Sequence, residues 1–186
     1  MWVKICGITR RDDAMTAGAL GADAIGFVFT QSPRRILPRS ALPWIRGITG
    51  LEKVAVFTTE SVEEILAACD GLGIDTIQLH AEPAGDHERL NRRYGIIYAM
   101  KEYRNDLMPG FPCRILIDAS RGTGMQGEWK ERDIPYILAG GLTPDNVREA
   151  VRIARPAGVD VSSGVESAPG IKDPGKVENF IREARS

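Results

Sequence analysis

Residues 3–28 read VKICGITRRDDAMTAGALGADAIGFV, a segment in which an apolar run, a helical stretch and a second apolar run follow one another. The apolar runs, Val3–Cys6 and Ala24–Val28, have the length of buried strands. Between them, Asp12–Leu20 has helical periodicity. A strand, a helix and a strand joined in this way predict a parallel pair with a right-handed crossover.

The same alternation continues along the chain. Six further apolar runs bring the predicted strands to eight: Val54–Phe57, Thr76–Leu79, Ile96–Met100, Ile115–Asp118, Tyr136–Ala139 and Val159–Val161. Four more segments have helical periodicity: Ser61–Cys69, Asp86–Arg93, Pro144–Ala154 and Pro174–Ala184. Thr143 is a typical N-cap before Pro144, and Ser61 precedes an acidic first turn that suits the helix dipole.

Strands that alternate with helices predict an α/β fold, and eight such units predict a (β/α)8 TIM barrel formed by one domain over residues 1–186. At about 23 residues per unit the barrel must be compact. We expect shortened connections after strands 5 and 6, because Glu102–Pro112 and Ala119–Glu128 are polar, contain glycine or proline, and have little periodicity. The alternative is an open doubly wound sheet, whose strands look much the same in sequence.

Composition excludes several classes of function. The 24 Lys and Arg residues against 25 Asp and Glu give a net charge of -1, which argues against binding nucleic acid or an anionic membrane. No signal peptide and no apolar stretch of about 18 residues is evident, so we expect a cytoplasmic protein with a small-molecule partner. Its three cysteines have no CxxC spacing and predict neither a disulfide framework nor a zinc site. Whether it is a monomer or a homodimer stays undetermined.

In either fold, functional groups belong at the carboxyl ends of the strands. Cys6 ends the first strand, on the same side as Lys4, and Asp118 ends the sixth. A thiol in surroundings that favour the thiolate can accept a proton, and a shielded carboxyl group can donate one. A buried cysteine is also an ordinary small hydrophobe, but a carboxylate at the end of the run Ile115–Ile117 needs a partner, a proton or a function.

Two turns that contain glycine follow the seventh and eighth strands. The first contains Gly140 and Gly141, and the second contains Ser162, Ser163 and Gly164. Glycine lets backbone amides approach an anion closely, and a helix N-terminus adds further N–H donors. One Gly-Gly pair indicates no more than a tight turn, but two such turns at adjacent strand ends predict a phosphate site.

Three further polar residues each allow two interpretations. Arg34, in the loop after the second strand, could clamp a substrate carboxylate through two parallel hydrogen bonds or be an ordinary surface charge. His80 follows the fourth strand and Asp160 lies in the eighth. Either could orient a substrate hydroxyl or complete a buried network.

Taken together, these motifs resemble the phosphoribosylanthranilate isomerase family over essentially the whole chain. The matching segments are Lys4–Thr9, Gly21–Phe29, Ser32–Arg34, Gln78–His80, Asp118 with Gly122–Gly124, Ala139–Leu142 with Asn146–Val147, and Val159–Glu166. The resemblance implies a (β/α)8 barrel that converts N-(5-phosphoribosyl)anthranilate to 1-(2-carboxyphenylamino)-1-deoxyribulose 5-phosphate in tryptophan biosynthesis. It implies no cofactor and no metal.

The resemblance also implies a role for each site residue. Asp118 would protonate the ring oxygen, and Cys6 would take the C2′ proton. Arg34 would lie on the anthranilate side, the two glycine turns would bind phosphate, and His80 and Asp160 would line the pocket. The chain departs from the family pattern after Asp118, where the segment is short and Arg121 stands where the family usually begins a Gly-Gly-Thr-Gly turn. We expect this departure to affect loop closure.

Two other functions stay open. One is a different sugar-phosphate barrel enzyme, although such enzymes end the first strand in an aspartate or need metal ligands, whereas this strand ends in Cys6 and the chain has only two histidines, His80 and His87. The other is a phosphate-ligand binding protein without turnover. The presence of both Cys6 and Asp118 argues against it.

Overall fold

The computed structural model describes residues 1–37, 43–118 and 129–186. Eight parallel strands form a closed barrel in which each strand pairs with the next and β1 pairs with β8. They are β1 Trp2–Ile5, β2 Ala24–Val28, β3 Glu52–Phe57, β4 Thr76–Leu79, β5 Gly95–Met100, β6 Arg114–Asp118, β7 Ile137–Ala139 and β8 Gly158–Val161. Closure confirms the predicted barrel and excludes the open doubly wound sheet.

Five α-helices lie wholly within the described residues, outside the barrel strands. They are α1 Arg11–Ala19, α2 Val62–Cys69, α3 Glu88–Asn91, α4 Val147–Ala154 and α5 Pro174–Ala184. Ser61 caps α2 in a capping box with Glu64, as its sequence position predicts. Asp173 caps α5, where its side chain accepts a hydrogen bond from the Lys176 N–H. No helix of the described ranges has the length and hydropathy needed to cross a membrane.

The predicted start of α4 is wrong. The helix begins at Val147 rather than Pro144, because the Asn146 side chain accepts the Thr143 N–H and donates to the Gly141 carbonyl oxygen. These bonds hold residues 143–146 in a turn, so Thr143 is not the N-cap. The predicted helix Asp86–Arg93 is likewise divided, into a 3₁₀ turn at Gly85–His87 and the single-turn α3.

The connection after β5 is short, as predicted. A 3₁₀ turn, Asn105–Leu107, is its one helical element. The connection predicted to be short after β6, Ala119–Glu128, lies outside the described residues, as do Arg121 and Gly122–Gly124. A feature that the sequence did not suggest is the antiparallel hairpin of β9 Glu166–Ala168 and β10 Ile171–Lys172, which follows the last barrel strand.

Alternating side chains divide the strands between two cores. Outward residues such as Ile25, Phe27 and Tyr98 pack in the layer shared with the helices. Inward residues such as Val54 and Leu116 fill the barrel interior. Because the side-chain period of a strand is two, the inward positions that follow them carry Val56 and Asp118 at the carboxyl end. The pleat of each strand therefore decides which residues reach the barrel mouth.

Candidate active site

A cavity of about 340 Å³ opens at the carboxyl ends of the strands. Its volume lies within the usual range for small-molecule sites. All predicted site residues except Gly164 line it: Cys6, Arg34, His80, Asp118, Gly140, Gly141, Asp160, Ser162 and Ser163. The barrel thus brings together residues from both ends of the sequence.

A second cavity of about 400 Å³ lies beside the first. The two share His80 and Asp118, and the second is otherwise lined by the end of β5 and by residues that follow β4 and β5, among them Met100 and Leu107. Asp118 is half-buried where β6 ends, opposite Ala139 of β7. Its carboxyl group thus reaches both cavities.

Cys6 is buried at the end of β1, and its N–H donates to the Val161 carbonyl oxygen at 2.8 Å, which fixes it beside β8. Burial raises the pKa of the thiol above its ordinary value, because it disfavours the thiolate. The charge of Lys4 opposes this rise. The surroundings of Cys6 therefore favour the neutral thiol, whereas its use as a base requires surroundings that favour the thiolate.

Asp160 is buried and pairs with a residue that the prediction of the site did not include. The Lys4 Nζ donates to Asp160 Oδ1 at 2.9 Å, and the Lys4 side chain has no solvent exposure. Of the two interpretations of Asp160, the structure therefore supports the buried network. A signal for Lys4 was present in the sequence, since it lies two residues before Cys6 on the same face of a buried strand.

Arg34 is held by a carboxylate that the sequence analysis did not single out. Its Nε and Nη2 donate to the two carboxylate oxygens of Glu166 at 2.8 and 2.7 Å. Lys172 of β10 donates to the same carboxylate at 2.9 Å and to the Ser162 carbonyl oxygen at 3.1 Å. Burial alone would raise the pKa of Glu166, but the hydrogen bonds from Arg34 and Lys172 lower it. Two cations thus share one carboxylate directly beneath the second glycine turn.

His80 lies at the mouth with part of its side chain open to solvent. Removal of the imidazole from water by the surrounding protein lowers the pKa of His80, and the positive charge of Lys4 lowers it further. Its Nε2 lies 3.0 Å from the Gln78 amide nitrogen, which donates to the neutral ring. The Gln78 Oε1 is buried and has no hydrogen-bond partner among the described residues. A buried acceptor without a donor suits a site that receives a hydroxylated ligand.

The two predicted glycine turns touch each other. Gly140 and Gly141 adopt φ values of 91° and 68°, which favour glycine. Gly164 packs so closely against the Leu142 carbonyl oxygen that a Cβ could not be accommodated there. The turns after β7 and β8 therefore form one continuous wall of the cavity.

The described residues contain no group of three or more His, Cys, Asp or Glu side chains able to hold a metal ion. The ionisable side chains that line the cavity are one thiol, two carboxyl groups, one imidazole and one guanidinium: Cys6, Asp118, Asp160, His80 and Arg34. The ammonium groups of Lys4 and Lys172 lie behind them, paired with Asp160 and Glu166. Such a set suits proton transfer on a ligand that carries negative charge.

Comparison with known proteins gives a consistent result. The family model for N-(5'-phosphoribosyl)anthranilate (PRA) isomerase matches residues 3–183. The N-(5'-phosphoribosyl)anthranilate isomerase of Geotalea uraniireducens is 42% identical over 198 residues, which cover 98% of each protein. The crystal structure of phosphoribosyl anthranilate isomerase from Thermotoga maritima has a TM-score of 0.85 at 33% identity and covers 100% of this chain and 98% of that one.

A further solved structure shows a phosphoribosyl anthranilate isomerase in complex with reduced 1-(o-carboxyphenylamino)-1-deoxyribulose 5-phosphate. It has a TM-score of 0.82 at 34% identity and covers 100% of this chain and 98% of that one. The similarity thus covers this chain from end to end.

Proposed function

The chain belongs to the phosphoribosylanthranilate isomerase family, and on that premise we propose that Cys6 and Asp118 perform the two proton transfers of its reaction. The enzyme converts N-(5-phosphoribosyl)anthranilate to 1-(2-carboxyphenylamino)-1-deoxyribulose 5-phosphate in tryptophan biosynthesis. This is an aldose–ketose isomerisation, an Amadori rearrangement, so no atom is gained or lost.

Asp118 acts as the acid in the first step. It donates a proton to the furanose ring oxygen, the bond from that oxygen to C1′ breaks, and the lone pair of the anthranilate nitrogen forms a Schiff base. The Cys6 thiolate then removes the C2′ proton, and the electron pair moves to give an enolamine. Tautomerisation places a proton on C1′ and removes one from the 2′-hydroxyl, which gives the ketose.

The observation that carries this assignment is that Cys6 and Asp118 line the same cavity from different strands. General acid–base catalysis needs two groups within reach of one ligand, one to donate and one to accept. In the ring of strands, β8 and β7 lie between β1 and β6. A sugar ring placed across that gap could contact the thiol on one side and the carboxyl group on the other.

The glycine turns after β7 and β8 bind the 5-phosphate in this proposal. The buried Lys172, hydrogen-bonded to the Ser162 carbonyl oxygen, adds positive charge behind the second turn. The related enzyme with a bound 5-phosphate ligand supports a phosphorylated partner of this kind. Arg34 binds the anthranilate carboxylate through N–H groups other than the two that donate to Glu166.

Burial of Cys6 has a consequence for the pH dependence. A general base must be deprotonated, and burial raises the pKa of Cys6. Turnover also needs a proton on Asp118, so the thiolate fraction is measured by a reaction of Cys6 alone. We expect the rate of Cys6 alkylation by iodoacetamide to increase with pH from neutral into the alkaline range, as the thiolate fraction increases. An alkylation rate that falls over this range would contradict a Cys6 thiol that ionises there.

The test follows the loss of anthranilate-type fluorescence with freshly generated substrate, in the presence of a chelator. Cys6→Ser and Asp118→Asn should each fold normally and lose about 10² to 10⁴ in kcat. Cys113→Ser and Asp70→Asn are the matched controls, since both residues lie outside the cavity. Near-normal turnover by either of the first two variants would remove that residue from the mechanism.

A further inference from the structure

Lys4 is a lysine in the middle of an apolar barrel. Its side chain has no solvent exposure, and its nearest interior neighbours include Ala24 and Asp160, which flank it in the sheet. Elsewhere in the interior the inward positions carry residues such as Val54, Ile97 and Leu116. A charged residue at such a position requires an explanation.

Stability does not supply that explanation. Removing an ammonium group and a carboxylate from water costs more than a single ion pair usually returns, and apolar residues of similar volume are often at least as stable. The Lys4 ammonium group donates a hydrogen bond to Asp160 Oδ1 at 2.9 Å and interacts with the Cys6 thiol. A pair retained at this cost points to a role in the chemistry of the adjoining site.

The side chains of Lys4 and Cys6 converge above Gly26 of β2. A Cβ added at Gly26 would lie 2.7 Å from the Cys6 Sγ and 3.1 Å from the Lys4 Nζ. The ammonium group and the sulfur are therefore within about 6 Å of each other, where an opposite charge strongly favours an ionised group. The absence of a side chain at Gly26 makes this approach possible.

We propose that Lys4 is a positioning residue for catalysis, which stabilises the Cys6 thiolate from beneath while Asp160 holds its ammonium group in place. The proposal rests on the role of Cys6 as the base. Burial by itself would lower the pKa of Lys4, but Asp160 and Cys6 raise it, so the side chain stays charged. Lys4 thus limits the cost of forming a thiolate in a buried place.

The other groups around Cys6 do not replace Lys4. Asp160 on β8 raises the pKa of the thiol, and Lys172 on β10 lowers it less than Lys4 does. Arg34 interacts with Cys6 from the loop after β2, but its charge is shared with Glu166. His80 and Asp118 line the cavity from β4 and β6. Lys4 is the cation with the largest effect on Cys6.

The test measures Cys6 alkylation by iodoacetamide from pH 6 to pH 10, with peptide mass spectrometry to follow each cysteine. Lys4→Met alone would leave Asp160 buried without its cation, and Asp160→Asn alone would leave Lys4 buried without its counter-charge, so the comparison uses the wild type and the double variant Lys4→Met/Asp160→Asn. In the double variant we expect Cys6 alkylation at neutral pH to be about tenfold slower than in the wild type, with its profile displaced to higher pH. Cys113 in the same samples is the internal control.

Identical Cys6 profiles in these two proteins would overturn the proposal, because a purely structural lysine leaves thiol reactivity unchanged. If the double variant does not fold, Lys4→Gln/Asp160→Asn, whose two amides can hydrogen-bond to each other, takes its place, and a profile equal to that of the wild type would again overturn the proposal. The two hypotheses fail separately. Turnover by Cys6→Ser contradicts Cys6 as the base, whereas an inactive Cys6→Ser with unchanged alkylation profiles contradicts Lys4 alone.

Discussion

At the amino end of the barrel, Arg114 donates to both carboxylate oxygens of Glu52, and the Thr76 hydroxyl donates to the same carboxylate at 2.6 Å. The Arg114 guanidinium lies 5.0 Å from the centre of the Trp2 ring. At the carboxyl end, Arg34 and Lys172 share the one carboxylate of Glu166, and a buried oxygen of Gln78 has no partner among the described residues. The pair at the amino end is partly exposed and has one cation for one carboxylate, whereas two cations share the carboxylate of Glu166 at the carboxyl end.

This difference in pairing indicates that the amino end of the barrel serves stability and the carboxyl end serves function. A cation that is fully paired, as at the amino end, closes the barrel and offers nothing to a ligand. A site in which two cations share one carboxylate, and in which one buried acceptor is unused, can receive an anion and a hydroxyl group. Substitutions at the carboxyl end, the mouth of the barrel, should therefore mainly change catalysis. Substitutions at the amino end, here called the floor, should mainly change stability.

Apart from the two proton-transfer residues, the largest expected effect comes from the contact between the two glycine turns. In Gly164→Ala the new Cβ would overlap the Leu142 carbonyl oxygen, so both turns must move. We expect kcat/KM to fall about a hundredfold, since a displacement of about 1 Å at a binding site costs that much. Inhibition by inorganic phosphate should weaken in parallel. The control is Gly110→Ala, where nothing lies within 4 Å of the added Cβ; equal activity in the two variants would contradict the phosphate assignment.

The next effect concerns the carboxylate that holds Arg34. Glu166→Gln removes the charge that fixes the guanidinium, and we expect KM to rise about tenfold, or about 1.4 kcal/mol, with a smaller change in kcat. Steady-state kinetics of Glu166→Gln, Arg34→Ala and the double variant give the coupling. If Glu166 acts through Arg34, the double variant should have nearly the KM of Arg34→Ala. Fully additive effects would show that Glu166 acts on the site by another route.

The strands could be predicted because burial on both faces leaves a continuous apolar run. Thr76–Leu79 and Ala24–Val28 have the predicted bounds, and Pro174–Ala184 does too, because Asp173 and Pro174 mark its start. The start of α4 could not be predicted, since the Asn146 side chain competes with the helix for the backbone of its own first turn. The β9–β10 hairpin contains serine, proline and glycine, and carries no alternating pattern.

The strand ends named in sequence do meet at one cavity, because parallel strands in a barrel all end on the same side. What sequence could not supply is the pairing inside that cavity. Lys4 and Asp160 lie 156 positions apart, and Arg34 and Glu166 lie 132 apart. They become neighbours only when β8 closes on β1, so pattern and spacing along the chain carry no information about them.

At the amino end, Arg114→Met keeps an apolar side chain near Trp2 but leaves Glu52 without its cation. We expect the free energy of unfolding to fall by about 1 kcal/mol, the typical worth of such hydrogen bonds. Urea unfolding measures this change. The kcat/KM per folded molecule should equal that of the wild type, and a clear loss would mean that the floor and the mouth are coupled.

The smallest effect is a pH dependence at the floor. Burial alone would raise the pKa of Glu52, but the hydrogen bonds from Arg114 and Thr76 lower it below the ordinary value of 4.5. A lowered pKa contributes stability that is present above pH 4.5 and is lost as the pH falls through the folded-state value. Glu52→Gln should therefore have a lower free energy of unfolding than the wild type at pH 7. We expect the loss of the carboxylate charge to account for less than about 1 kcal/mol of this difference, in addition to the loss of hydrogen bonds, and that part should shrink toward pH 3. Urea unfolding across this range measures it, with the exposed Glu178→Gln as control. A difference that stays constant with pH would mean that Glu52 stabilises the floor by shape and not by charge, and the two ends of the barrel would then differ in packing rather than in electrostatics.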